Sequence, residues 1–257
     1  MSALVNRIAL KSILYKEINR FTRIWVQTLV PPAITITLYF VIFGSLIGAR
    51  IGEMGGFDYM SFIVPGLIMM SVITNSYSNV ASSFFSAKWQ RNVEEMLVAP
   101  VPNWVIVAGY VGGGMARGIL VGLIVTLVSL FFVDIQIHNL AVIIITVCLT
   151  SAVFSLGGLI NAIFAGSFDD ISIIPTFVLT PLTYLGGVFY SISLLPEFWQ
   201  GVSQINPIVY MVNAFRYGFL GITDVDLTLA FTVLGVFIVS LFTIAMTLIT
   251  KGIGLRS

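Results

Sequence analysis

Side chains capable of acid, base or nucleophilic chemistry are scarce in this sequence, and their spacing narrows what they can do. The single histidine, His138, follows Asp134 in a short polar stretch, which excludes a histidine-based metal cluster or an HExxH site and leaves a solvated loop side chain. The single cysteine, Cys148, lies inside an apolar run, so an intrachain disulfide is impossible and a packed or lipid-facing thiol is expected. Asp169 and Asp170 are adjacent, but neighbours on a helix point about 100° apart and cannot share one proton as a catalytic dyad would. They fit a helix N-terminus, where free amides and the dipole favour negative charge, with contact to a partner as the other reading. No segment has the form GxxxxGKS or GxxxxGKT, so a nucleotide that drives this protein must be bound by another polypeptide.

The elements that position these groups follow from composition. Of the 257 residues 58 % are hydrophobic and 9 % charged, and the mean hydropathy is +1.04. An ordinary soluble domain carries roughly a quarter charged residues, so the solvent of this chain is lipid. Net charge is only +1, which gives no global field to attract nucleic acid. Crossing a hydrocarbon core of about 30 Å takes roughly 20 apolar residues in a helix. About six stretches qualify, near 25–47, 59–85, 105–133, 140–165, 171–190 and 227–250. The expected fold is therefore an all-α integral membrane protein of six transmembrane helices. A cytoplasmic segment 1–24 precedes the transmembrane domain at 25–250, and a cytoplasmic tail 251–257 follows it.

Basic residues set the orientation. Arg7, Lys11, Lys16, Arg20 and Arg23 precede the first span, Lys88 and Arg91 separate spans two and three, and Lys251 and Arg256 follow the last. Positive charge near span ends is retained in the cytoplasm, so both termini are expected there, with Arg50 and Arg216 as exceptions on the other side. The charges scattered through the first two dozen residues leave no cleavable signal peptide, and the first span is expected to target the chain. Leu10, Leu14, Ile18, Phe21 and Trp25 recur at helical spacing opposite Lys16, Arg20 and Arg23, the pattern of an amphipathic interfacial helix that either anchors or docks.

Arg117 falls within the third apolar stretch. It either snorkels to phosphate level or lines a substrate path. Glycine clusters at 112–114 and 157–158 are packing signals, and Gly186 and Gly187 mark a bend or a helix contact. Between Ser191 and Gly221, Pro196 and Pro207 cut an apolar segment into pieces too short to cross; Asn206 can cap, and Pro207 can start, a half-helix to about Leu220. Two outer half-helices that enter the membrane and return are the economical arrangement between spans five and six.

The most informative polar segment runs from Lys88 to Pro102. Val93, Met96 and Leu97 form a small apolar face, Arg91, Glu94 and Glu95 surround it, and Pro100 ends the helix. Such a helix suits insertion into a partner's groove, or is an ordinary interfacial loop. Here Arg91 to Pro100 resembles the pattern that follows the second span in ABC-2 transporter permeases. Glu94, Leu97, Val98 and Pro100 match, while Arg91 and Asn92 stand where Gly and Thr are frequent. The run from Asn206 and Pro207 through Arg216 to Tyr217 is similar to that family's Asn-Pro and downstream Arg before the last span. The resemblance covers nearly the whole chain. It implies a homodimer of six-helix subunits, a coupling helix at Arg91, Glu94, Glu95, Met96, Leu97, Val98 and Pro100, and outer re-entrant helices at Asn206, Pro207 and Arg216.

The expected function is the permease subunit of an ATP-binding cassette exporter in the bacterial inner membrane. ATP and magnesium would be held by separate ATPase subunits, with no cofactor, metal or catalytic site on this chain and no nucleic-acid partner. A channel or ion-coupled carrier independent of an ATPase is the alternative, weakened by the near absence of acids within the spans.

Overall fold

The computed structural model describes residues 3–255, the side chains at 45, 46 and 49 aside. Helix α1 (Ala3–Arg23) leads into a first apolar rod built from α2 (Trp25–Thr28), α3 (Val30–Tyr39), a wide π-helical stretch Phe40–Gly48 and α4 (Ala49–Ile51). Pro31 and Pro32 lack amide hydrogens and occupy the first turn of α3, which is why the rod breaks just before them. A tight hairpin follows, in which β1 (Glu53–Met54) pairs antiparallel with β2 (Phe57–Asp58) across Gly55 and Gly56 at φ 62° and 82°. Asp58 then caps α5 (Tyr59–Trp89) by accepting from the Met60 amide at 3.0 Å.

Helix α5 is the axis of the molecule, buried from Tyr59 to Ala87. After the short α6 (Asn92–Val98), helices α7 (Asn103–Ser129) and α8 (Leu140–Phe164) pack along it. Glycine sets how closely they approach. Gly114, Gly118 and Gly122 stand four residues apart on α7; a β-carbon at Gly118 would strike the Ser76 side chain and sit 3.3 Å from the Val72 carbonyl oxygen. Gly158 on α8 presses on the Tyr77 carbonyl in the same manner. The other glycines of the cluster, with Gly109, face α1, where Ile13, Leu14 and Glu17 cover Gly109, Gly112 and Gly113.

That contact corrects the expected face of α1. The buried residues are Glu17 and Phe21, whereas Ile18 and Trp25 are exposed. The stripe is rotated from the one that apolarity alone selects, because Gly113 of α7 makes room for the Glu17 side chain while Gly109 and Gly112 receive Ile13 and Leu14. Helix α1 is thus packed against protein along this face. The third stretch is also shifted: its helix starts at Asn103 and ends at Ser129, four residues before Val133.

Among the described residues five helices are long and apolar enough to cross a membrane, one fewer than expected. The difference lies at 171–190, which is no continuous helix. It comprises α9 (Asp170–Ile174), a π-helical turn Pro175–Leu179 and α10 (Thr180–Tyr184). Pro175 and Pro181 remove amide donors, and Gly187 at φ 74° turns the chain away. The helical path is about 15 residues, or roughly 22 Å, short of the hydrocarbon thickness. A 3-10 turn (Ile192–Leu194), α11 (Glu197–Ile205) and α12 (Pro207–Leu220) follow, and α13 (Leu227–Lys251) closes the bundle between the Asp226 cap and Gly252.

Candidate functional site

Four groups of polar residues stand out in this apolar fold: a surface at the end carrying α6, a buried ionic cluster, a knot at the opposite end, and a cavity between the ends.

At the first end, α6 is held by the rest of the chain. Val93 is buried, and Met96 and Leu97 pack half-buried against the same cluster as Phe84, Ile106 and Tyr110. The apolar face that the sequence offers to a partner is therefore largely covered by this chain itself. Arg91, Asn92, Glu94, Glu95, Val98 and Pro100 remain exposed. Arg91 adopts φ 62°, the left-handed conformation that glycine takes without strain, and any other residue there gives up about 1 kcal/mol. Ala99 is extended at ψ 145°, as a residue before proline must be, so the helix stops at Val98. Lys88 fixes this corner by donating to the carbonyls of Ile163 and Ala165 at 2.6 and 2.9 Å, neutralising the C-terminal end of α8. The rings of Phe85, Trp89 and Phe168 meet beside it in tilted and edge-on contacts. A cavity of about 420 Å³ lies between Lys88, Arg91 and Glu94 on one side and Gly166, Gly254 and Leu255 on the other. Arg256 lies outside the described residues.

The adjacent carboxylates near this end are not equivalent. Asp170 accepts from the amides of Gly166 and Ser167 at 2.8 and 3.1 Å, while the Asp170 amide donates to the Ser167 hydroxyl at 3.2 Å. This is a capping box, and the bonds from Gly166 and Ser167 hold the Asp170 carboxyl below the usual carboxylate range. Asp169 makes no side-chain cap.

Sequence reasoning missed a buried ionic cluster where α1 meets α5 and α7. Glu17, fully buried, accepts from the Ser83 hydroxyl at 2.7 Å and lies 3.5 Å from Arg20 and 3.7 Å from Lys16. Arg20 donates to the Asn79 carbonyl and side-chain oxygens at 2.9 and 2.7 Å. A signal existed: Ser71, Asn75, Asn79 and Ser83 recur every fourth residue and form one polar stripe down α5.

The knot at the far end contains the re-entrant motif. Asn206 accepts from the Ile208 amide at 3.0 Å, capping α12, and donates to the Leu182 carbonyl at 2.7 Å. Pro207 takes the first position of α12. Arg216, 1 % exposed, donates to the carbonyls of Gly187 at 2.6 Å and Phe62 at 3.4 Å and lies 3.9 Å over the Phe62 ring. Nearby, Asp224 accepts from the Ser191 hydroxyl and the Ile192 amide at 2.7 and 3.0 Å. These side chains satisfy carbonyls and amides that the broken backbone between α10 and α12 leaves free. His138 stands outside this knot, exposed and edge-on to Tyr217.

Midway, Arg117 neither points outward nor stacks. Its guanidinium donates to the Asn75 side-chain oxygen at 3.0 Å and the Thr28 carbonyl at 3.4 Å. It lines a cavity of about 320 Å³ between the first rod and α5, whose wall carries Gln27, Thr35, Thr74 and Ser78.

An apolar helical bundle of this length, with amphipathic helices gathered at one end and a broken fifth stretch, is the architecture of a multi-pass membrane permease. The chain belongs to the ABC-2 type transporter family, whose model matches residues 8–220. It is 68 % identical over 250 residues, 97 % of this chain and 98 % of the relative, to the inner membrane transport permease YadH of Escherichia coli strain K12. The same protein of Shigella flexneri is equally similar. Nodulation protein J of Neorhizobium galegae is 24 % identical over 215 residues, covering 83 % of this chain and 82 % of that protein.

Proposed function

We propose that this chain is the transmembrane subunit of an ATP-binding cassette exporter of the bacterial inner membrane, driven by separate ATPase subunits that hold ATP and magnesium. The observation that carries the reading is α6: its apolar side is fastened to the bundle through Val93, Met96 and Leu97, and Lys88 at the end of α5 ties the same corner to α8. The other side of α6 presents Glu94 and Glu95, with Arg91 just before it, to solvent. A rigid corner with an exposed charged face transmits a push, where a loosely tethered loop would absorb it. The docking contact is then made by Arg91, Glu94, Glu95, Val98 and Pro100, with Met96 and Leu97 holding the helix in place.

Orientation and assembly follow from the same surfaces. Lys11, Lys16, Arg20, Arg23, Lys88, Arg91 and Lys251 belong to α1 and to helix ends beside it and α6, which supports reading this side as cytoplasmic, with both termini on it. Two copies pair and enclose a shared path between them. The segment from α10 to α12 forms the outer hairpin, and α9 to α10 counts as the sixth crossing in its shortened form. ATP-driven closure of the ATPases tilts the spans as rigid bodies and switches access.

Charge reversal at two exposed positions, Glu94→Lys with Glu95→Lys, tests docking. The variant is expected to insert normally and to lose at least about tenfold in recovery of a co-expressed P-loop ATPase partner, since rim charges govern encounter and register. Undiminished co-purification contradicts the docking role, and gradient-driven flux by the purified chain alone returns the carrier reading.

A further inference from the structure

The cavity at Arg117 has a property the export reading does not require. Its lining contains one charged side chain, Arg117, and no acid. Among the described residues the ion pairs are Glu17 with Lys16 and Glu17 with Arg20, so the one buried carboxylate nearby is already shared between two cations. Arg117 is left with neutral acceptors, its Nε is buried without a hydrogen-bond partner, and the charged group acting on it is another cation, Arg20. A guanidinium at membrane depth is costly unless paired, so an unpaired one opening on a cavity is organised around an anion that arrives from outside the chain.

The rest of the wall fits that guest. Several hydroxyls in the cavity are spent on their own helices: Thr28 donates to Phe21, Ser71 to Leu67 and Thr74 to Met70. Gln27, Thr35 and Ser78 make no such bond among the described residues and retain donors facing the space. Ile36 and Met70 supply apolar wall beside them.

We infer that this cavity is a binding station for the anionic group, phosphate or carboxylate, of the transported molecule, with Arg117 as its counter-ion and Gln27, Thr35 and Ser78 as further donors. The inference rests on the permease reading for the word transported; the anion site itself stands on the cavity alone. The chemistry is shared by an amphiphile, whose chain would lie along Ile36 and Met70, and by a free anion.

Equilibrium binding of radiolabelled dodecyl phosphate to the full chain in phosphatidylcholine nanodiscs, corrected for empty nanodiscs, tests it. Saturable binding is expected in the natural sequence. Arg117→Gln should weaken it at least about tenfold, the loss of a charge-assisted contact, while Arg117→Lys stays within about threefold because the charge is kept. Ser78→Asp leaves Arg117 in place and adds an opposing charge, so it should also weaken binding about tenfold, which separates the charge effect from any packing defect of Arg117 variants. Competition by inorganic phosphate alone assigns the site to a free anion, and its failure to compete assigns it to an amphiphile. Equal affinity of the natural sequence and Arg117→Gln, both monodisperse, overturns the inference, as does tighter binding of dodecyltrimethylammonium. No ATPase or nucleotide enters the assay, so loss of ATPase docking and loss of the anion site are scored separately.

Discussion

Arg117 and Arg216 are both removed from bulk water in an apolar fold, yet they do opposite things. Arg216, 1 % exposed, donates to the Gly187 and Phe62 carbonyls and lies over the Phe62 ring, while its Nη1 has no partner and the side chain borders a cavity of about 180 Å³ that also carries the acid Asp224. Arg117 reaches neutral oxygens at 3.0 and 3.4 Å and borders a cavity of about 320 Å³. A buried charge bonded to the chain's own backbone and sharing its cavity with an acid is a staple. One whose cavity holds no acid is a site, and the presence or absence of a counter-charge distinguishes the two where residue type does not.

The largest way to break this contrast is to remove the staple. Arg216→Ala removes the 2.6 Å donor to the Gly187 carbonyl, the longer bond to Phe62 and the contact with its ring, and thermal or denaturant unfolding in detergent should register a loss of about 3–5 kcal/mol. Arg216→Lys should recover only part of it, because a point charge cannot reach two carbonyls and stack on a ring together. Asn206→Ala, in the same knot, removes a helix cap and the bond to the Leu182 carbonyl; a loss of about 2 kcal/mol is expected by the same measurement. Arg117→Met should change stability by no more than about 1 kcal/mol in either direction, since replacing a poorly paired buried charge by an apolar chain is near neutral. A loss as large as that of Arg216→Ala would erase the distinction.

The smallest effect is a surface control. The Asp170 carboxyl is held low by its bonds to Gly166 and Ser167, so its stabilising contribution is present at neutral pH and disappears as pH falls through its lowered value. Asp170→Asn should therefore differ from the natural sequence at pH 7 and converge with it in acid, and unfolding midpoints measured across that range decide the point.

Much of this layout was legible from residue order. Lipid forces long apolar runs into helices, so the helices α5, α7, α8 and α13 were readable within a few residues. Pro100, Asn206 and Pro207 announced their breaks because their chemistry acts on the local backbone. Pro175 and Pro181 carried the same kind of signal at the fifth stretch, masked by high apolarity over 171–190. The side to which α6 turns Val93 was not readable, since amphipathic spacing shows that a face is apolar without saying whose surface covers it. Arg216 appeared as an exception to charge bias because its partners are carbonyls, which every residue has. Glu17 was overlooked for a related reason: its burial depends on Gly113, nearly a hundred positions away, leaving room for it.

The contrast between the arginines is tested most directly by water access. In a Cys148→Ala background, Ser78→Cys faces the Arg117 cavity and Val212→Cys is buried beside the Arg216 knot. A membrane-impermeant methanethiosulfonate reagent applied to inside-out vesicles should modify the thiol at position 78 and spare the one at 212. Equal labelling of the two, or protection of position 78 with labelling at 212, would contradict the account.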